Sequence, residues 1–470
     1  MSQQQEIQAP PVVAAPRAGE RYAEVIAALL AVSGAVLLIA AQSTASTAGS
    51  LLLLGAAFSL RPVFGLPLLG LVLPFYLLPR SLGSLSFSMP ELVLLSSLAG
   101  TAVHGTWAGL RGAHISATRM ATPFDLPIAL FVAAALISLM ASEVMRVSLR
   151  DLRTLILEPV MAFYLAAWLL RRPGHIKLLL AALLMGGTAA AILGLYQYFF
   201  TSHVIAVEGA RRILGPYSSP NELGLYLGRV IPMTLAFVIF TPSYRPFASA
   251  ALVALTAAQL LTFSVGAWIG TLLAVAVVVM LWRVRAIVAL AAAAAALAVA
   301  SLPLLHSDRV ASHLSLTQGT SFIRVQLWES SLMMIRDHPI LGVGMDNFLY
   351  QYRSRYMLPD AAAEPNLSHP HNLVLNFWLE MGILGLVAAL WITIKLVRLW
   401  RELWRAELAP WERAALAGIA GAMVDMVTHG MVDNSYFLVD MAFFFWLASG
   451  VISALHVAKG AALPSQARIE

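Results

Sequence analysis

The chain has 470 residues, of which 60% are hydrophobic and 11% are charged, and its formal net charge is +6. A soluble globular protein carries about 25% charged residues, so this composition excludes a soluble fold and predicts that lipid surrounds much of the chain. The chain contains no cysteine, which excludes disulfides, thiolate metal sites and cysteine nucleophiles.

The apolar segments predict an all-α, polytopic membrane helix bundle with about 12–14 transmembrane helices, because a spanning helix needs roughly 20 apolar residues. We predict a cytoplasmic tail over residues 1–22, the first part of the bundle over 23–305, one large outward-facing helical loop over 306–371, the last part of the bundle over 372–457 and a second cytoplasmic tail over 458–470. The candidate spans are 23–41, 48–60, 62–79, 90–104, 124–141, 155–170, 175–200, 222–240, 246–262, 265–282, 285–305, 372–394, 412–428 and 436–456.

The distribution of basic residues predicts the orientation of these spans. With the N-terminus in the cytoplasm, 18 of the 30 Lys and Arg residues lie in cytoplasmic segments. Six lie in external segments once the long loop is left out, as the positive-inside rule allows. This orientation places residues 201–221 and 306–371 on the outer face.

The segment 211–222 combines two arginines with a helix start. Ser219 and Glu222 have capping-box spacing, and a proline stands at the first helical position. Arg211 and Arg212 lie just outside this helix, where guanidinium groups and backbone N–H groups together favour a diphosphate. The alternative is nonspecific contact with lipid headgroups. Arg229 lies on the same helix face as Glu222, which predicts a structural ion pair.

The long loop contains a predicted helix over residues 320–336. Arg324 and Trp328 are neighbours at i and i+4 on that helix. The Trp328 ring suits stacking on a sugar, and Arg324 suits contact with a phosphate. The alternative is a surface helix that packs on the bundle through Trp328, with Arg324 over its ring as a cation–π pair.

His369, His371 and Asn372 lie at the outer mouth of the next predicted span. Asn372, Asn376 and Glu380 follow at i, i+4 and i+8 on one helix face, which predicts contact with the bundle interior or a watery cavity. Histidine changes charge near neutral pH and suits a general base. Two alternatives remain: Asn372 caps the helix beside interfacial histidines, or the two histidines bind zinc, for which the sequence shows no clear third ligand.

Two glycines follow in the same span, and we expect them to let a neighbouring helix approach closely. No Walker lysine motif or dinucleotide glycine fingerprint is present. Because ATP is absent outside the cell, an enzyme acting there needs a pre-activated substrate, such as a lipid-linked sugar diphosphate.

Several of these motifs together resemble the O-antigen ligase and polymerase family, which includes protein O-oligosaccharyltransferases. The likeness covers about residues 185–400. One departure is Val265, which stands where the family often has an arginine. The matching positions are His371-Asn372 followed after nine residues by Gly382-Ile383-Leu384-Gly385, the run Arg324, Trp328, His338-Pro339, Gly342-Val343-Gly344 and Asn347-Phe348, and the set Arg212, Gly215, Pro220 and Asn221.

The resemblance implies a multi-pass glycosyltransferase of the bacterial cytoplasmic membrane, with its site facing the periplasm. It would move a glycan from a polyprenyl-diphosphate carrier to an acceptor hydroxyl on a growing glycan, a lipid A core or a protein, with no metal, cofactor or nucleic acid. The alternatives are a protein O-oligosaccharyltransferase and a transporter or flippase of a lipid-linked anion. The implied catalytic residues are His371 as base with Arg212 and Arg324 on the diphosphate, and the implied substrate-binding residues are Arg211, Asn221, Trp328, His369 and Asn372.

Overall fold

The computed structural model describes residues 18–112, 121–207, 210–285, 319–362 and 364–460. Most of the predicted span 285–305, the start of the long loop and most of the C-terminal tail lie outside these residues. The helices are α1 Ala18–Ala40, α2 Thr44–Leu60, α3 Gly65–Val72, α4 Met89–Leu110, α5 Asp125–Ser138, α6 Met145–Asp151, α7 Glu158–Leu169, α8 Pro173–Phe200, α9 Pro220–Phe240, α10 Arg245–Leu261, α11 Val265–Trp282, α12 Gly319–Asp337, α13 Phe348–Gln351, α14 Leu373–Arg405, α15 Pro410–Gly430 and α16 Val439–Gly460.

Short elements complete the described part of the chain. Two antiparallel hairpins of three-residue strands pair β1 Arg80–Leu82 with β2 Leu85–Phe87, and β3 Ile205–Val207 with β4 Ala210–Arg212. The π-helical turns are Leu152–Leu157 and Tyr352–Tyr356, and the 3-10 turns are Pro62–Phe64, Leu73–Phe75, Leu139–Ala141, Pro242–Tyr244 and Pro359–Ala361.

The structure confirms the all-α polytopic bundle. Among the described residues, seven helices are long and apolar enough to cross a membrane, compared with the 12–14 spans predicted. The other predicted spans within the described ranges form helices that are shorter, such as α2 and α10, or richer in polar residues, such as α4 and α15. The seven are Arg21–Ala40, Met145–Leu169, Pro173–Phe200, Pro220–Phe240, Val265–Trp282, Leu373–Arg405 and Val439–Gly460.

The centre of the bundle is formed by α9, α15 and α16. Helix α16 is buried on every side over residues 440–455, with Trp446 fully enclosed. Helices α9 and α15 approach closely because Gly418 and Gly421 of α15 face Met233 and Pro232 of α9. This packing brings the first turns of α9, α11 and α14 and the last turn of α15 together at one end of the bundle.

The described part of the long loop packs on this same end of the bundle. Helix α12 and the segment after it enclose their own small apolar cluster, which includes Leu327 and Phe348. Asn347 anchors this cluster to the start of α6: its side-chain oxygen accepts from the Val144 N–H at 2.8 Å, and its amide donates to Ser148 Oγ at 2.7 Å. The loop is therefore fixed to the bundle by buried hydrogen bonds.

Helix α14 is kinked at Gly382, whose backbone is left-handed with φ +67°. We expected a neighbouring helix beside this glycine, but the loop main chain lies there instead. The Ile383 N–H donates to the Ile340 carbonyl at 3.2 Å, and the Val343 N–H donates to the Leu379 carbonyl at 2.8 Å. The physical reason is that a kinked helix exposes backbone N–H and carbonyl groups, and the main chain of a neighbouring loop can form hydrogen bonds with them.

Replacing Gly382 by alanine should lower thermal stability strongly. The added Cβ would overlap the Ile340 carbonyl, and an alanine at positive φ costs about 1–3 kcal/mol by strain alone. Thermal unfolding of the purified protein in detergent should show a transition several degrees lower. The control is Gly55→Ala in helix α2, where no atom lies within 4 Å of the added Cβ. An unchanged transition for Gly382→Ala would contradict this account of the kink.

Candidate active site

A carboxylate that was not predicted from the sequence connects His369 and His371. Asp433 follows α15, 62 residues after His371, and is 5% exposed. The Nδ1 atom of His371 lies 2.9 Å from Asp433 Oδ1, and His369 Nε2 lies 3.9 Å from the same oxygen. The two imidazole rings are 4.2 Å apart. The only local signal was an Asp-Asn pair shortly after the predicted span 412–428, and such a pair is also typical of a turn.

The charges around this cluster determine its protonation. Burial by itself would raise the pKa of Asp433, but the imidazoles of His369 and His371 outweigh it and hold the pKa well below its usual value. Burial lowers the pKa of His369, and the charge of His371 lowers it further. At neutral pH Asp433 is therefore ionised and His369 is neutral. The carboxylate then accepts a hydrogen bond from His371 Nδ1–H, which leaves Nε2 as the basic nitrogen.

The backbone positions these histidines by an unusual turn. His371 has φ +50°, a left-handed conformation that is uncommon outside glycine. The next residue, Asn372, caps α14 and accepts from the N–H groups of Val374 and Leu375 at 3.0 and 3.1 Å. Its amide donates to the Met431 carbonyl at 3.3 Å. Asn372 thus has the capping role considered from sequence, and it also ties the histidine turn to the end of α15.

The polar face of α14 is buried, as its spacing predicted. Asn376 is 2% exposed and donates to the side-chain oxygen of Asn434 at 3.3 Å. Glu380 accepts from the Asp346 N–H at 2.6 Å and so holds the loop rather than a substrate. The contact of Asn376 braces the segment that carries Asp433, and the contact of Glu380 braces the loop.

Helix α12 supports the histidine turn from the loop side. Trp328 Nε1 donates to the Pro370 carbonyl at 3.1 Å, between the two histidines. Arg324, one turn earlier, lies near enough to His429 for their charges to interact, and His429 Nε2 lies 3.9 Å from Asp433 Oδ2. Of the two predicted residues of α12, Trp328 therefore contacts the histidine turn directly, and Arg324 acts through its charge on the neighbouring His429.

Replacing Trp328 by phenylalanine should loosen the histidine turn, because the ring is kept while the bond to Pro370 is lost. We expect faster amide hydrogen exchange at residues 371 and 372. The matched control is Trp378→Phe, which removes the same kind of bond from Trp378 Nε1 to the Pro339 carbonyl. It should leave exchange at the histidine turn unchanged. Equal exchange in both variants would argue against the bracing role of Trp328.

Arg211 and Arg212 point in different directions, because neighbouring residues of strand β4 alternate sides. Arg212 Nε donates to the Thr262 carbonyl at 2.7 Å, and its Nη2 donates to Asn221 Oδ1 at 2.8 Å. Arg211 donates to the Tyr198 carbonyl at 3.1 Å and lies over the Tyr198 ring. The two arginines therefore contact different helices: Arg212 contacts the start of α9, and Arg211 contacts the end of α8.

The turn bonded by Arg212 is followed by helix α11, whose first turn contacts His429, the neighbour of Asp433. Helix α11 starts at Val265, and Gly266 lies against the His429 ring, 3.1 Å from its Cδ2 to where a Cβ would be. Val265 itself is 44% exposed at the mouth of this helix. Arg212 and Asn221 therefore lie at the same end of the bundle as His371, and the start of α11 and the end of α15 lie between them. Arg211 faces away from this site.

The predicted ion pair between Arg229 and Glu222 is wrong. Glu222 accepts from Ser218 Oγ at 3.0 Å, and its charge acts on Asp433 and His369. Arg229 is fully buried and donates to the Ser435 carbonyl, with Asp425 and Asp440 nearby. Seven residues nearly complete two turns, so the spacing was correct for one face, but the 1.5 Å rise per residue separates the two groups along the axis.

A comparison with known protein families gives a match, and the matched region contains several of the site residues described above. No protein in a search of curated proteins matches the chain. Residues 250–390 match the family model described as O-antigen ligase. The matched region includes Arg324, Trp328, His371 and Gly382, whereas Arg212 and Asp433 lie outside it. The similarity of this chain to O-antigen ligases is therefore a similarity of residues 250–390.

Proposed function

We propose that this membrane protein transfers a glycan from a polyprenyl-diphosphate carrier to an acceptor hydroxyl on the outer face of the bacterial cytoplasmic membrane. It would act as an O-antigen or exopolysaccharide polymerase or as an O-antigen ligase. The family match supports glycan transfer in general. The observation that carries the proposal is the pairing of His371 with the buried Asp433 at the mouth of the bundle, 2.9 Å apart.

His371 acts as the general base in this proposal. Its Nδ1–H donates to Asp433, and its Nε2 makes no hydrogen bond to the residues that the structure describes. Nε2 takes the proton from the acceptor hydroxyl while that oxygen attacks the anomeric carbon of the donor. The bond from that carbon to the diphosphate oxygen breaks, and polyprenyl diphosphate leaves. Asp433 stabilises the imidazolium that forms.

The arginines stabilise the departing diphosphate. The charge of Arg324 acts on His429, and Arg212 is held at the adjacent helix ends by Thr262 and Asn221. Negative charge develops on the leaving oxygens, and guanidinium groups fixed in advance stabilise that charge without reorganising. The proposed mechanism uses neither a metal nor a cofactor, because the two guanidinium groups balance the negative charge of the diphosphate. Val265 leaves the α11 mouth without the arginine expected from the resemblance.

The remaining predicted residues divide into two groups in this proposal. Asn221, Asn372 and Trp328 position Arg212 and the histidine turn through the contacts described above. Arg211 faces away from His371 and would bind a lipid or glycan phosphate near Tyr198, whereas His369 would lie beside the acceptor. A growing glycan, a lipid A core and a protein hydroxyl all present the acceptor group that His371 requires.

Reconstitution of the purified chain in lipid vesicles tests the proposal. The assay supplies a polyprenyl-diphosphate-linked glycan with one acceptor of each class and measures both the glycosylated acceptor and the free polyprenyl diphosphate. Transfer should release one carrier per glycan transferred. A transporter would instead move the intact donor across the bilayer, with the bond between glycan and diphosphate unbroken. Movement without cleavage would refute the transferase.

A further inference from the structure

We propose that His369, His371 and Asp433 form a zinc site whose occupation inhibits the enzyme. The sequence offered two histidines and no third ligand. The structure supplies the third ligand from a segment 62 residues further along the chain. The inhibitory role rests on the proposed function, whereas binding of zinc does not.

The positions of the ligand atoms suit a small tetrahedral ion. His369 Nε2, His371 Nδ1 and a carboxylate oxygen of Asp433 lie within 4.8 Å of one another, with the two histidine-to-Asp433 distances at 3.9 and 2.9 Å. Zinc bonds of about 2.0–2.2 Å place neighbouring ligands roughly 3.3 Å apart. Small rotations of the two rings would therefore complete three ligands, and a fourth position stays open towards the partly exposed side of the histidines.

Unsatisfied polar atoms in the cluster favour an ion there. His369 Nε2 and Asp433 Oδ2 are both buried, and neither has a hydrogen-bond partner among the residues that the structure describes. A buried polar atom without a partner costs about 1–3 kcal/mol, and a metal bond would remove that cost. Imidazole nitrogen and carboxylate oxygen are both ordinary zinc ligands, so the absence of cysteine is no obstacle.

Zinc at this position would switch off the base by changing its tautomer. In the metal-free site the proton of His371 is on Nδ1, and Nε2 carries the lone pair. Zinc takes the Nδ1 lone pair, so the single ring proton must move to Nε2. That nitrogen then donates a hydrogen bond and can no longer accept the proton of the acceptor hydroxyl. No net proton is lost, because one neutral tautomer replaces the other.

Metal binding can be measured without any activity. The full-length protein in detergent is treated with EDTA, desalted and titrated with ZnCl2 in competition with a chromophoric chelator. We expect one zinc per chain, with affinity at least 10-fold weaker in His369→Gln and in Asp433→Asn. The control is His175→Gln, in the first turn of α8, which is the end of that helix away from the site. This variant should bind zinc as the unmodified chain does. Absence of stoichiometric binding, or equal affinity in all variants, would overturn the site and leave the transferase proposal intact.

The second arm measures glycan transfer in vesicles as zinc is added. Transfer should fall as the site fills and should return on addition of EDTA, whereas Mg²⁺ at the same concentration should have no effect. In His369→Gln, the zinc concentration for half-inhibition, measured against that variant's own metal-free rate, should rise at least 10-fold. Bound zinc with unchanged transfer would overturn the inhibitory role. A zinc-dependent rise in transfer would overturn both that role and the metal-free mechanism.

Discussion

Replacing His371 by alanine should lower the rate of glycan transfer by about 10²- to 10⁴-fold, which is the usual contribution of a positioned general base. Donor binding should change little, because the proposed diphosphate contacts come from arginines on other segments. The measurement is single-turnover transfer in vesicles together with equilibrium binding of the lipid-linked donor. The control is His338→Ala, which removes an imidazole from the same outer loop but outside the cluster.

Asp433→Asn extends this test to the partner that the sequence did not reveal. An amide can donate to His371 Nδ1 and so stabilise the wrong tautomer, and it cannot stabilise the imidazolium. We expect transfer to fall by about 10²- to 10⁴-fold with the donor still bound. Because the pKa of Asp433 is held well below its usual value, the carboxylate stays ionised in mildly acidic solution. Transfer at a normal rate in either variant would remove His371 from the mechanism.

Replacing Arg324 by glutamine should lower kcat/KM for the donor by about 10²-fold, the usual cost of losing one preorganised charge at a developing anion. The charge of Arg324 acts on His429, which lies 3.9 Å from Asp433, so we propose that this charge also reaches the departing diphosphate. The measurement is transfer rate as a function of donor concentration.

Arg336→Gln is the matched control, because it removes the same charge from the same helix at an exposed position in its last turn. It should change kcat/KM by less than about twofold. Similar losses in both variants would show that Arg324 acts through the general charge of the loop and not through a diphosphate contact. A loss confined to substrate binding, with kcat unchanged, would place Arg324 on the ground-state donor and not on the leaving group.

The features predicted correctly from sequence are those that depend on short stretches of chain. The length and apolar character of segments such as 265–282 predicted helix α11 because a membrane leaves the backbone no other partner. The spacing of apolar residues predicted the helix at 320–336, and Pro220 with its preceding serine predicted the start of α9. The polar spacing of Asn376 and Glu380 predicted a buried face.

The sequence by itself therefore determined the helical class, the start of α9 and the buried face of α14. Only the tertiary structure decided which side chains meet. It set Asp433 against His371 across 62 residues, turned Arg211 away from Arg212 through the pairing of β4, and placed a loop instead of a helix beside Gly382. The physical reason is range: helix formation and capping depend on neighbours within about four residues, whereas the partner of a buried charge is whatever distant segment packs against it.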